Sequence, residues 1–210
     1  GHQVILYDLS QSTLDESALK LAKVMARLVE KKRITLEEST DIQGRIVRSK
    51  QIDLFEGCDL VVEAVVENLD VKHSVFNQIE SIVSSDCIVA SNTSSLSITS
   101  LAAGCNHPER VVGLHFFNPA PLMPLVEIVP AIQTSVDTPL HLVSLMKDWG
   151  KSPVIAKDTP GFIVNRVARP FYGEALRILE EGIANVPTID TVMRNLGFKM
   201  GPFQLTDLIG

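Results

Sequence analysis

His115 lies in Gly113-Leu-His-Phe-Phe, an imidazole set among apolar residues in a stretch that reads as a β-strand. A polar ring in such a run must find a hydrogen-bonding partner or open onto a cleft. Twelve residues on, Glu127 interrupts Leu125-Val-Glu-Ile-Val in the same manner. Between them Asn118-Pro-Ala-Pro-Leu-Met-Pro124 is a proline-rich turn, short enough to join two antiparallel strands at a sheet edge. If the strands pair, His115 and Glu127 can be neighbours, the arrangement in which a carboxylate orients an imidazole that moves a proton. A buried structural ion pair fits the same two positions.

In an open α/β sheet, ligands sit at the carboxyl ends of the strands, so the residues that end each apolar run come next. Asp8 closes Gln3-Val-Ile-Leu-Tyr, where a carboxylate can accept both hydroxyls of an adenosine ribose and would repel a 2′-phosphate. A helix-capping or solvated acid fits there too. Glu67 follows Leu60-Val-Val-Glu-Ala-Val-Val, and Asn92-Thr-Ser-Ser95 follows Cys87-Ile-Val-Ala-Ser. The hydroxyls and amide of Asn92–Ser95 suit either a helix N-cap or a ligand. His2, His73, His107 and His141 have no partners at metal-ligand spacing, so no metal site is expected. Trp149, Phe116 and Phe117 read as core.

These positions need a scaffold, and the periodicity supplies one. Apolar strand-like runs at 3–8, 46–47, 58–66, 87–91, 111–117, 125–129 and 153–156 alternate with helical stretches at 12–32, 36–43, 69–83, 98–103 and 140–149. That alternation predicts right-handed βαβ units and an α/β, Rossmann-like, mostly parallel sheet. In the first helical stretch Leu14, Ala18, Leu21, Met25 and Leu28 form one apolar face, with Ser12 and Asp15 as the expected cap. Beyond Gly161 the pattern is entirely helical, over 162–181 with an offset at Pro170 and again over 188–196. The domain boundary is expected near Asp158–Pro160: residues 1–157 a nucleotide-binding domain, 158–210 a helical C-terminal domain.

The chain of 210 residues is 45% hydrophobic and 21% charged, a globular profile. A net charge of −6 without a long basic block argues against nucleic-acid binding. No apolar run approaches the ~18 residues needed to cross a bilayer and no signal-peptide pattern opens the sequence, so a cytoplasmic or organelle-matrix location without a membrane partner is expected. Cys58, Cys87 and Cys105 lack paired spacing and read as reduced thiols.

Several segments together resemble the short-chain L-3-hydroxyacyl-CoA dehydrogenase family, which includes 3-hydroxybutyryl-CoA and phenylacetate-degradation members. They are Gly1-His-Gln-Val-Ile-Leu-Tyr-Asp8, Asp59-Leu-Val-Val-Glu-Ala-Val-Val-Glu67-Asn, Ala90-Ser-Asn-Thr-Ser-Ser95, Gly113-Leu-His-Phe-Phe-Asn-Pro119 and Lys157-Asp-Thr-Pro-Gly-Phe-Ile-Val-Asn-Arg166. The resemblance implies that Ser94, His115, Glu127 and Asn165 are active-site residues and that Asp8, Glu67, Lys72, Asn92 and Asn118 contact NAD. It implies oxidation of a (S)-3-hydroxyacyl-CoA to the 3-oxoacyl-CoA with NAD, and a homodimer formed through the helical C-terminal domain. The family's first strand and glycine-rich phosphate loop find no counterpart in these residues, and the helical domain ends early, so a fragment of a longer enzyme is expected. Two other readings compete: a catalytically silent structural relative, and a dehydrogenase of free 3-hydroxy acids or sugar acids. The four active-site residues argue against the silent relative.

Overall fold

A computed structural model describes residues 1–209. Among the described residues, seven strands and eight α-helices follow one another as β1 (Val4–Tyr7), α1 (Gln11–Glu30), α2 (Leu36–Gly44), β2 (Ile46–Ser49), β3 (Leu60–Glu63), α3 (Leu69–Glu80), β4 (Ile88–Ser91), α4 (Ile98–Ala103), β5 (Val111–Phe116), β6 (Leu125–Pro130), α5 (Asp137–Asp148), β7 (Ser152–Ile155), α6 (Val164–Glu180), α7 (Val186–Asn195) and α8 (Pro202–Ile209). This is the α/β architecture followed by helices that the periodicity predicts. None of the described helices is long and apolar enough to cross a membrane.

The strands form two sheets. One has the order β3-β4-β5-β6-β7, and β1 pairs in parallel with β2 in the other. Pairing is parallel from β3 to β5, turns antiparallel between β5 and β6, and is parallel again between β6 and β7. The proline-rich turn therefore makes the expected hairpin. Side-chain alternation along these strands fills both faces. Phe55, Phe76, Ile79, Val89, Ile98, Leu101, Val111 and Val129 pack on one side, and Ala90, Val112, Leu114, Val126, Ile128, Leu142 and Met146 on the other. Gly113 permits this on the first side, because a Cβ there would lie 2.9 Å from Ile98 and Val129.

Local chemistry sets where the elements begin and end. Thr35 and Glu38 form a reciprocal capping box at α2, and Asn68 caps α3 through Val71 N. The cap of α1 is Ser10, accepting from Thr13 N, and the expected Ser12 instead exchanges a hydroxyl bond with Ser10. Only Leu14 of the α1 stripe is fully buried. β3 is shorter than its apolar run: it ends at Glu63, whose carboxylate takes the amide of Val65 and turns the chain out of the sheet. Two short 3-10 turns, Ile52–Gly57 and Pro108–Arg110, had no periodic signal to announce them. Trp149 is a further correction: 40% exposed at the end of α5, it donates its indole N–H to His2 instead of joining the core.

Candidate active site

The hairpin register places His115 directly opposite Glu127. Both side chains follow Val111 and Val129 onto the same face of the sheet. His115 Nδ1 lies 2.8 Å from Glu127 Oε2. Glu127 is 0% exposed, and its other oxygen accepts the backbone amides of Ile163 and Val164, each at 2.9 Å. Those amides open α6, so the positive end of that helix faces the carboxylate. With three donors on two oxygens Glu127 is held, and it holds the imidazole. No partner among the described residues takes His115 Nε2. Phe117 and Phe162 flank the ring, with centroids 4.5 and 5.8 Å away.

Asn165, in the first turn of α6, directs Nδ2 at the carbonyl of Ser94, 3.5 Å away. Ser94 sits half-buried just beyond β4. Two segments 71 residues apart thus meet, and Asn165 directly follows the two amides that hold Glu127. Of the four residues expected in the active site, Ser94 follows β4, His115 lies near the carboxyl end of β5, Glu127 faces it from β6 and Asn165 begins α6.

Glu67 lies beside them. Its Oε1 accepts from Thr93 Oγ1 at 2.8 Å and from Ser94 N at 3.0 Å, which fixes the serine backbone. Partial burial would raise the Glu67 carboxyl, but the bonds from Ser94, Thr93 and Lys72 outweigh it and hold the group below the usual range. Lys72 is 1% exposed and spends its three donors on Glu63 Oε1 at 2.7 Å, Val65 O at 3.2 Å and Glu67 Oε2 at 3.3 Å. Glu63 also accepts from Ser91 Oγ at 2.7 Å. Lys72 is therefore turned inward as the brace of Glu67. Glu63 was visible as a carboxylate in an apolar run, but nothing at the level of spacing linked it to Lys72 across a strand–helix turn.

The remaining expected cofactor residues all lie where strands end. Asn92 Oδ1 accepts from Phe116 N at 2.8 Å, and its Nδ2 has no partner among the described residues. Asn118 is exposed beyond β5. Asp8 ends β1 in the other sheet, half-buried, with Oδ1 accepting from Ser10 N at 2.8 Å. Its other oxygen has no partner among the described residues. Asp8 thus supports the start of α1 and keeps an acceptor for a ribose hydroxyl. A carboxylate just past β1, an amide just past β4 and a second amide beyond β5 are the donor and acceptor types that a dinucleotide's ribose and amide groups require.

Two more acids tie separate segments of the chain together. Asp158 accepts from Ser97 Oγ at 2.8 Å, Ile98 N at 3.0 Å and Thr99 N at 2.7 Å, tying the segment after β7 to α4. Burial would raise its carboxyl, and the bonds from Thr99, Ser97 and Ile98 overcome that and lower it. Asp190 in α7 accepts from Phe203 N and Gln204 N, fixing α8. The three cysteines are free, and burial pushes Cys87 up to about 11 and Cys105 up to about 12, so neither presents a thiolate at neutral pH.

Residues 1–159 match the family model for the 3-hydroxyacyl-CoA dehydrogenase NAD binding domain, and residues 161–210 match that for the 3-hydroxyacyl-CoA dehydrogenase C-terminal domain. The whole chain is 44% identical to a 3-hydroxyadipyl-CoA dehydrogenase of Escherichia coli K12, spanning 44% of that protein's length. It is 41% identical to a 3-hydroxybutyryl-CoA dehydrogenase of Bradyrhizobium diazoefficiens, spanning 72% of it. Among solved structures, a 3-hydroxybutyryl-CoA dehydrogenase of Escherichia coli K12 superposes on the whole chain with a TM-score of 0.97 and 44% identity, over 45% of its own length.

Proposed function

Since the chain belongs to the 3-hydroxyacyl-CoA dehydrogenase family, we propose that its protein oxidises a (S)-3-hydroxyacyl-CoA to the 3-oxoacyl-CoA with NAD, and that His115 is the general base. The observation that carries this reading is the imidazole whose Nδ1 is held at 2.8 Å by a buried carboxylate while Nε2 has no protein partner among the described residues. Glu127 fixes the tautomer, because a carboxylate on Nδ1 requires the proton there and leaves Nε2 as the acceptor. Nε2 then takes the proton of the substrate's 3-hydroxyl as the C–H bond at C3 breaks and the carbonyl forms. The imidazolium that results is stabilised by Glu127, whose own charge rests on the amides of Ile163 and Val164. Ser94 and Asn165 hydrogen-bond the substrate's oxygens and hold C3 in place.

Bound NAD would supply the acceptor for the hydride that leaves C3. Asp8 would hold its adenosine ribose, and Asn92 and Asn118 would donate to it near the reacting end. Glu67, braced by Lys72, keeps the Ser94 loop in register beside it. The C-terminal helices and their connections leave Val167, Leu176, Ile183, Leu196 and Leu208 exposed, and a second copy of the chain would cover part of them.

Formation of NADH by the full-length protein tests the reading, with (S)-3-hydroxybutyryl-CoA and free 3-hydroxybutyrate as the two substrates. Turnover of the thioester alone is expected; turnover of the free acid alone contradicts it. Replacing Asp8 by Ser is expected to narrow the preference for NAD over NADP, and an unchanged ratio removes Asp8 from ribose recognition.

A further inference from the structure

The segment Asp158–Val164 connects the sheet to α6, and it is anchored at both ends by carboxylates. At one end Asp158 accepts from Ser97 Oγ, Ile98 N and Thr99 N, at the start of α4 and three to five residues beyond Ser94. At the other, the amides of Ile163 and Val164 are bound by Glu127. Between them the chain makes a tight reversal. Phe162 N donates to Thr159 O at 2.9 Å, and Gly161 and Phe162 take φ values of 76° and 47°. The second is a conformation that a non-glycine residue adopts only when its surroundings impose it. Phe162 is buried with its ring against His115.

From this geometry we infer that Asp158 is a positioning residue for the reaction: it locks the Ser94 loop to the connecting segment and so sets Ser94, Glu127, His115 and Asn165 at their mutual distances. The inference rests on the dehydrogenase reading given above. Ser94 and Asn165 meet only as their two segments are joined, and their own contact, at 3.5 Å, is too long to do the joining. The three bonds that Asp158 accepts do. The same link presses Phe162 against the imidazole and delivers the amides that hold Glu127. Loss of the link frees the reversal to relax toward an unstrained backbone. The site residues all remain, but their spacing is no longer imposed.

The test is steady-state NADH formation from (S)-3-hydroxybutyryl-CoA by the full-length protein and by Asp158→Ala, Asp158→Asn and Ser97→Ala, with melting temperature measured on each sample. Misplacement of reacting groups by about an ångström costs on the order of 100-fold. Asp158→Ala is expected to lower kcat roughly 10- to 100-fold on this scale while KM for NAD stays within about two-fold. Asp158→Asn, which keeps one acceptor oxygen, should recover part of that loss, and Ser97→Ala, which removes one of three donors, should lose least. If Asp158→Ala does not fold, the Asn and Ser97 variants carry the same ranking. A lowered melting temperature with kcat unchanged in the folded variants makes Asp158 merely structural and overturns the inference alone. A wild type without turnover overturns the dehydrogenase reading and this inference with it.

Discussion

Two buried pairs of a proton-carrying side chain and a carboxylate lie near the carboxyl ends of the strands, and they differ in how completely they are closed. In the pair Lys72–Glu63, every donor of the ammonium is met inside the protein, and Glu63 accepts in turn from Val65 N and Ser91 Oγ. In the pair His115–Glu127 the carboxylate is equally saturated, but the imidazole is bound only through Nδ1. Burial is alike: Lys72 is 1% and His115 6% exposed. The chemical difference is one ring nitrogen. A closed pair can only hold structure together, whereas a pair whose imidazole keeps one open ring nitrogen can exchange a proton with a ligand.

The comparison breaks if either pair behaves like the other. The largest effect is expected from Glu127→Gln. Its carboxamide can still accept from Ile163 and Val164, but the NH2 would face Nδ1 and favour the wrong tautomer, so kcat should fall roughly 10²- to 10⁴-fold. Steady-state kinetics on the folded variant checks this, and a kcat within a few-fold of wild type would place the pair in the structural class. Lys72→Met should do the reverse. Removing one partner of a buried ion pair leaves an uncompensated charge and costs about 3–5 kcal/mol. Denaturant unfolding should register that loss while kcat of the folded protein changes far less; unchanged stability would show the pair to be dispensable.

The hairpin was legible because His115 and Glu127 interrupt two apolar runs in the same way on either side of a proline-rich turn, and antiparallel pairing leaves one register that sets them opposite each other. The donors to Glu127 were not legible. They arrive from residues 36 and 37 positions away, and a backbone amide carries no residue-type signal. The same holds for Asp158, whose partners lie some 60 positions back in the chain. Local rules failed in smaller ways too. Two serines near the start of α1 could each have been its cap, and an isolated tryptophan's apolar bulk did not decide its burial.

A smaller effect concerns acid. Glu67 and Asp158 both have lowered carboxyl groups, so each contributes stability that is fully present above the unfolded carboxylate value and is lost as pH falls through the folded one. Asp158→Asn should therefore flatten the dependence of unfolding free energy on pH below about 4, the unfolded carboxylate value. Equal slopes for wild type and variant would show that Asp158 gains nothing from its three donors.

The most direct test of the open nitrogen is His115→Gln, assayed for kcat with (S)-3-hydroxybutyryl-CoA and for NAD affinity on the same preparation. A loss of roughly 10²- to 10⁴-fold in kcat at little-changed NAD affinity is the result expected of a general base. Near-normal turnover would contradict it and take histidine out of the mechanism.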